Sequence, residues 1–266
     1  VFNDCHGGTV YCLASYDAGS KKLVTLSHPF SVDVDSAKME FYEPEKETED
    51  VVLFSKFGMI GEFFLGRMVG GVFEGSRSPG FEHPDTLFRI KDMPLRLCTA
   101  VRVDSTKTYR YVRYFGPRGG FGNVSEVGFY SSWADTEPLK GDILGPQEGA
   151  HGSHSYFNVF DGHTDTSYDH PFDYGGWAGL DLGEKKAIGK IVYTPRNRDN
   201  FVRKDDLYEL LVCHGGEWKS AGTQVAQSDS LLFRNIPKHA LLLLRDLSRG
   251  EAERLFEYKD GVQKYW

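Results

Sequence analysis

The feature that most limits what this chain can become is its succession of short, strongly apolar segments with no long amphipathic helix between them. "TVYCLASY", "KKLVTLS", "DVVLFSKF", "TLFRI", "TYRYVRYF", "VSEVGFY", "AIGKIVYT", "LYELLVC", "SLLFRNI" and "ALLLLRDL" are rich in β-branched and aromatic residues and end at Gly, Pro, Asp or Asn. Without helical stretches of about 10 to 15 residues between the strands, a parallel α/β sheet is excluded and antiparallel sandwiches or barrels are expected. "KDDLYELLVCH" also fits two helical turns, but the "GGEW" that follows reads as a hairpin turn and favours a strand. "SRGEAERLFEY" alone has helix-like propensity, and it is too short to form a layer.

With 266 residues, the chain has room for one large or two ordinary domains and needs no disulfide scaffold. Its 31 basic and 38 acidic residues give a net charge of -7, with no run of five basic residues, which argues against nucleic acid as a partner. No apolar run approaches the roughly 18 to 20 residues of a membrane-spanning helix. The opening "VFNDC" carries neither an initiator Met nor a leader, so the chain reads as a processed or excised piece attached to further domains. Cys5, Cys12, Cys98 and Cys213 lack paired zinc spacing. Cys98 and Cys213 are expected to be small buried hydrophobes, and Cys5 with Cys12 is the one local disulfide candidate.

The strand pattern breaks at "SSWADTEPLKGD", Ser131 to Asp142. On either side of it one order of motifs recurs: "VFEG" at Val72 and "VFDG" at Val159, then an arginine-bearing strand, then Glu126 with Phe129 and Glu253 with Phe256. This predicts an all-β chain of two tandem antiparallel modules, residues 1–135 and 136–266.

Four histidines (His151, His154, His163, His170) and four aspartates (Asp161, Asp165, Asp169, Asp173) crowd one segment, but their spacing is unspecific for zinc and no HExxH pattern sets a pair on a helix. Cys213 and His214 are neighbours in a strand and point to opposite faces, which excludes a Cys–His couple. "GPRGGFG" and "MIGEFFLGRMVGG" lack the spacing of phosphate cradles and read as turns and bulges. No carboxylate pair is singled out for glycoside hydrolysis. In "NVFDGHTDTSYDHPF", Asp161, Asp165, Thr166 and the carbonyls around Gly162 are the oxygen donors a hard cation prefers; the same residues also form Asx turns with no ion.

"YFNVFDGHTDTSYDHP", "WAGLDLGEKKAIGKIVYTPRNRDN", "LYELLV", "GEWKSAG" and "LLLLRDLSRGEAERLFEY" together resemble discoidin modules, also called coagulation factor five/eight C-type or galactose-binding-like domains. The resemblance spans Leu139 to Trp266 and is partial in the first half, through "GGVFEGS", "YRYVRYFGP" and "GNVSEVGFY". It implies two jelly-roll β-sandwiches acting as a non-catalytic carbohydrate-binding accessory pair of a larger protein that is extracellular, at the cell surface or periplasmic. Alternatives are a structural or adhesive spacer and a glycoside hydrolase. It also implies a structural Ca2+ held by Asp161, Thr166 and Glu253, although His163 stands where the family commonly has Asp or Asn. In the first half, Glu74, Ser76 and Glu126 are the corresponding residues. For a glycan or other extracellular ligand the candidates are Tyr168, His170, Phe172 and Tyr174, with Arg196, Asn197, Arg198, Asp199 and Asn200 opposite; aromatic faces and bidentate polar groups are what sugars need. Arg113 and Arg245 are expected to brace sheets.

Overall fold

The computed structural model describes residues 9–20, 23–41, 44, 46–57, 63–149, 151–214, 217–249 and 254–265. Chain order is β1 (Val10–Tyr11), β2 (Ala14–Tyr16), β3 (Leu23–Leu26), β4 (Phe30–Asp33), β5 (Lys38–Phe41) and β6 (Thr48–Leu53), then the single turn α1 (Phe63–Gly66). Next come β7 (Val72–Ser76), β8 (Asp85–Arg89), β9 (Thr99–Arg102), β10 (Thr108–Phe115), β11 (Glu126–Tyr130), β12 (Asp142–Leu144), β13 (Trp177–Ala187) and β14 (Lys190–Thr194). The chain closes with β15 (Leu207–His214), β16 (Glu217–Val225), β17 (Leu231–Pro237), β18 (Leu241–Asp246), β19 (Phe256–Lys259) and β20 (Val262–Tyr265). The architecture is all-β, built from several antiparallel sheets. Among the described residues no helix is long and apolar enough to cross a membrane.

Two compact units divide the chain, and the second is inserted in sequence within the first: Val1–Gly58 with Asn200–Trp266, and Met59–Asp199. The expected cut between 135 and 136 is therefore corrected. β10 pairs with β13 and β11 with β14, so hydrogen-bonded ladders join the two sides of the Ser131–Asp142 break, which is a connection inside the second unit. The two motif series that look like a repeat do not mark two modules: the first series and Val159–Gly162 of the second lie in this unit, whereas Arg245 and Phe256 of the second lie in the other.

In the second unit, one sheet runs β12-β13-β10-β7-β8 and another β11-β14-β9. Phe73, Val112, Tyr114 and Leu180 from the first sheet share a buried cluster with Val127, Phe129, Ile191 and Tyr193 from the second. A register shift between Tyr109 and Tyr111 on β10 changes which residues face this core. On the other face Arg113 donates from Nε to Glu74 Oε2 at 2.7 Å and lies over Phe81 and Trp177, which makes it the brace the sequence suggests.

In the first unit, a β16-β15-β18-β19-β20 sheet is accompanied by β17-β6, β1-β4-β5 and β2-β3. "LYELLVCH" is the strand expected of it, and Arg245 on β18 bonds Glu209 on β15 at 2.9 Å. "FEY" joins β19 rather than a helix, since Phe256 packs into the core of this unit. Cys213 is buried as expected, whereas Cys98 is exposed, because it precedes β9 outside the alternating strand register. Cys5 lies outside the described residues, and Cys12 Sγ contacts Ser27 O at 3.2 Å.

Candidate functional site

The Asp-Gly loop is organised locally. A short 3-10 helix, Tyr156–Phe160, is N-capped by Ser155 and ends at Asp161. Gly162 follows with φ +81°, a conformation that glycine adopts without a Cβ penalty. Asp161 Oδ1 accepts from His163 N at 2.8 Å, and Thr166 Oγ1 lies 2.9 Å from Asp161 Oδ2 and 2.8 Å from the His163 carbonyl.

Tertiary structure then brings a second carboxylate to this loop. Glu126, the first residue of β11, accepts from Gly162 N at 2.8 Å and His163 N at 3.1 Å through one oxygen. Burial first, and then the adjoining Asp161 carboxylate, push Glu126 up to about 8. A groove of about 560 Å³ borders Glu126 and is lined also by Leu139, Phe160, Gly162 and Leu180. Glu253, expected as the third ligand, lies outside the described residues. Of the first-half set, Glu74 is engaged by Arg113 and Ser76 donates to the Ser78 carbonyl, so only Glu126 reaches an Asp-Gly loop. Among the described residues no group of three or more His, Cys, Asp or Glu side chains is placed to hold a metal. The oxygens gathered here are those of two carboxylates, the Thr166 hydroxyl and the His163 carbonyl. Oxygen-only donors are of the kind that suits a hard cation rather than zinc.

The predicted aromatic candidates separate into two layers. Tyr168 is fully buried in the core cluster, and its hydroxyl meets Nδ1 of His170, itself buried, at 2.9 Å. Desolvation holds His170 below the usual imidazole range. Phe172 and Tyr174 instead stand 56% and 58% exposed. The Phe172 ring lies edge-on to His170, and Arg118, which is exposed, sits over the Tyr174 ring at 4.9 Å.

Backbone bonds fix this segment against the turn after β10: Tyr168 N to Val124 O, His170 N to Phe121 O, Gly119 N to Asp173 O and Gly116 N to Gly176 O. The two backbones approach so closely that a Cβ on Gly122, at φ +63°, would lie 2.8 Å from the Tyr168 ring and 3.0 Å from Gly176 Cα. "GPRGGFG" is thus the partner that shapes the loop, and its Arg118 is a functional candidate that strand patterning passed over.

The opposite candidates, 196–200, are not assembled as one binding edge. Arg196 donates to Asp169 at 2.5 Å and stacks on Phe64, as does Arg198 at 5.2 Å from the same ring. Asp169 also accepts from Asn123, which binds Arg67 in turn. Asn197 donates to the Thr164 and Pro195 carbonyls, and its Oδ1 accepts from Asp199 N, with Asp199 at φ +61°. Asn200 belongs to the first unit, 2% exposed, with its carbonyl accepting from Lys56 N. The Arg196 and Asn197 side chains are committed to holding loops, whereas Arg198 is exposed.

Comparison with protein-family models, with curated proteins and with solved structures finds no match for the chain.

Proposed function

We propose that the second unit is a galactose-binding-like jelly roll of the discoidin type, and that the protein is a non-catalytic carbohydrate-binding piece of a larger extracellular, cell-surface or periplasmic protein. The observation that carries this reading is the exposed Phe172 and Tyr174 pair beside Arg118, on a segment pinned by backbone hydrogen bonds. Exposed rings offer a flat apolar face to the C–H side of a pyranose, and a guanidinium donates to its hydroxyls. Because the loop is held in advance, little ordering entropy opposes binding. Tyr168 and His170 act beneath the surface, as supports for the exposed rings.

Calcium belongs to the same reading. Asp161, Glu126 and Thr166 would hold it, and the ion would neutralise the two carboxylates and tie β11 to the loop. That role is architectural, consistent with its separate donor set.

A glycan array followed by calorimetry tests the proposal. Binding that is lost in Phe172→Ala, Tyr174→Ala and Arg118→Ala, with circular dichroism unchanged, is the expected result. No binding across diverse glycans would replace it with the spacer reading. Turnover of a glycan abolished by one carboxylate substitution would replace it with the hydrolase reading.

A further inference from the structure

In the first unit, Lys56 and Asp246 form a pair with both side chains 0% exposed, Nζ lying 2.8 Å from Oδ2. Asp246 is the last residue of β18, and its other oxygen accepts from Ser248 N at 3.0 Å and Arg249 N at 2.9 Å. Lys56 is held from its own side: its amide donates to the Asn200 carbonyl, and Ser55 just before it bridges to Phe201. Gln263 Oε1 accepts from the Phe54 and Ser55 amides, at 2.8 and 3.1 Å. Both partners are therefore fixed by backbone contacts in a place that water does not reach.

We infer that Lys56 and Asp246 condense into an intramolecular isopeptide bond. The ammonium first passes a proton from Nζ to Oδ2. The freed Nζ lone pair attacks Cγ and a C–N bond forms. The Ser248 and Arg249 amides face Oδ1, where negative charge collects in the tetrahedral intermediate, and so act as an oxyanion hole. A second Nζ proton moves to the departing oxygen, the Cγ–Oδ2 bond breaks, and one water leaves. Ion pair goes to neutral amide plus water, and no oxidant or further reactant is consumed.

Three physical circumstances favour this course. A fully buried ion pair bears a large desolvation penalty, which neutralisation to an amide removes. Fixing the amine against the carboxyl group replaces a bimolecular encounter with an intramolecular one, for which effective concentrations are very high. Exclusion of water disfavours hydrolysis of the product. The bond would join the segment just after β6 to the end of β18 and close a covalent loop containing the whole second unit.

The experiment is mass spectrometry of the purified full chain under denaturing, reducing conditions. The expected mass is one water below that of the sequence, with a tandem spectrum placing Lys56 and Asp246 in one branched peptide. Lys56→Met and Asp246→Ala should each return the full sequence mass. As a second readout, a protease cut within residues 59–199 should leave two fragments joined on a denaturing gel. A wild-type chain of full mass overturns the inference. So does a water loss mapped instead to succinimide at Asp161–Gly162 or Asp260–Gly261, the Asp-Gly steps in the sequence. Both readouts use the wild type, so poor folding of a variant leaves the result decisive.

Discussion

Asp246 and Glu126 are held by the same backbone device and face opposite electrostatic surroundings. Each fixes one carboxylate oxygen with two successive amides, Ser248 and Arg249 for the first, Gly162 and His163 for the second. Asp246 then meets a lysine, while Glu126 meets another carboxylate. The difference teaches that amide contacts position a carboxylate without deciding its role. The charge opposite decides it: Asp246 is complete within the chain, and Glu126 with Asp161 is complete only with a proton or a cation.

The strongest way to break this comparison is to remove the lysine. Lys56→Met leaves the Asp246 carboxylate buried with neither the amide bond nor a counter-ion and is expected to destabilise the chain by at least about 3 to 5 kcal/mol in denaturant unfolding. Adding Asp246→Leu should recover much of that loss, because no buried charge is then left unpaired. Equal stability of the single variant and wild type would remove the distinction between the two sites.

At the other carboxylate, added calcium should raise the unfolding midpoint, by about 2.7 kcal/mol of stability at 100 times its Kd. Asp161→Ala and Glu126→Ala should each abolish the gain. A midpoint unmoved by calcium, or by its chelation, would leave the Asp-Gly loop held by its own hydrogen bonds.

In chelator, pH gives a smaller effect of definite sign. Glu126 titrates near 8 when folded against an ordinary value of 4.5, so the folded chain binds this proton more tightly than the unfolded chain does. The stability it contributes is full below about pH 4.5 and is lost as pH rises through about 8. Thermal scans across that window should fall for wild type and flatten for Glu126→Gln. Calcium should also flatten them, by favouring the ionised form. A wild-type slope unchanged in the Gln variant would assign the titration elsewhere.

The smallest stability effect is expected at the exposed rings. Phe172→Ala should change unfolding stability by no more than about 0.5 kcal/mol, in contrast to buried Tyr168→Ala, where loss of a core ring costs about 3 to 5 kcal/mol. Similar losses at both positions would mean that Phe172 is a packing residue.

The sequence by itself determined what is local. Short runs rich in aromatic and aliphatic residues specify strands, and "LYELLVCH" and "TYRYVRYF" each form one, with a register shift interrupting the alternation in both. The turn at Asp161–Gly162 is equally legible, since its aspartate bonds an amide two residues away. Arg113 and Arg245 as braces follow from cations set in otherwise apolar strands. The tertiary structure decided what depends on pairing across long separations. Strand period does not say which strand is the neighbour, so the repeated motifs read as two modules although β10 pairs with β13 inside one unit. It also says nothing about which of several aromatics in a loop will be covered, and Tyr168 and Phe172, four positions apart, end on opposite sides of the surface. Glu126 reaching Asp161, and Lys56 reaching Asp246 across 190 positions, are products of register and packing. Their chemistry comes from side chains that the sequence shows plainly, placed together by contacts that only the folded chain contains.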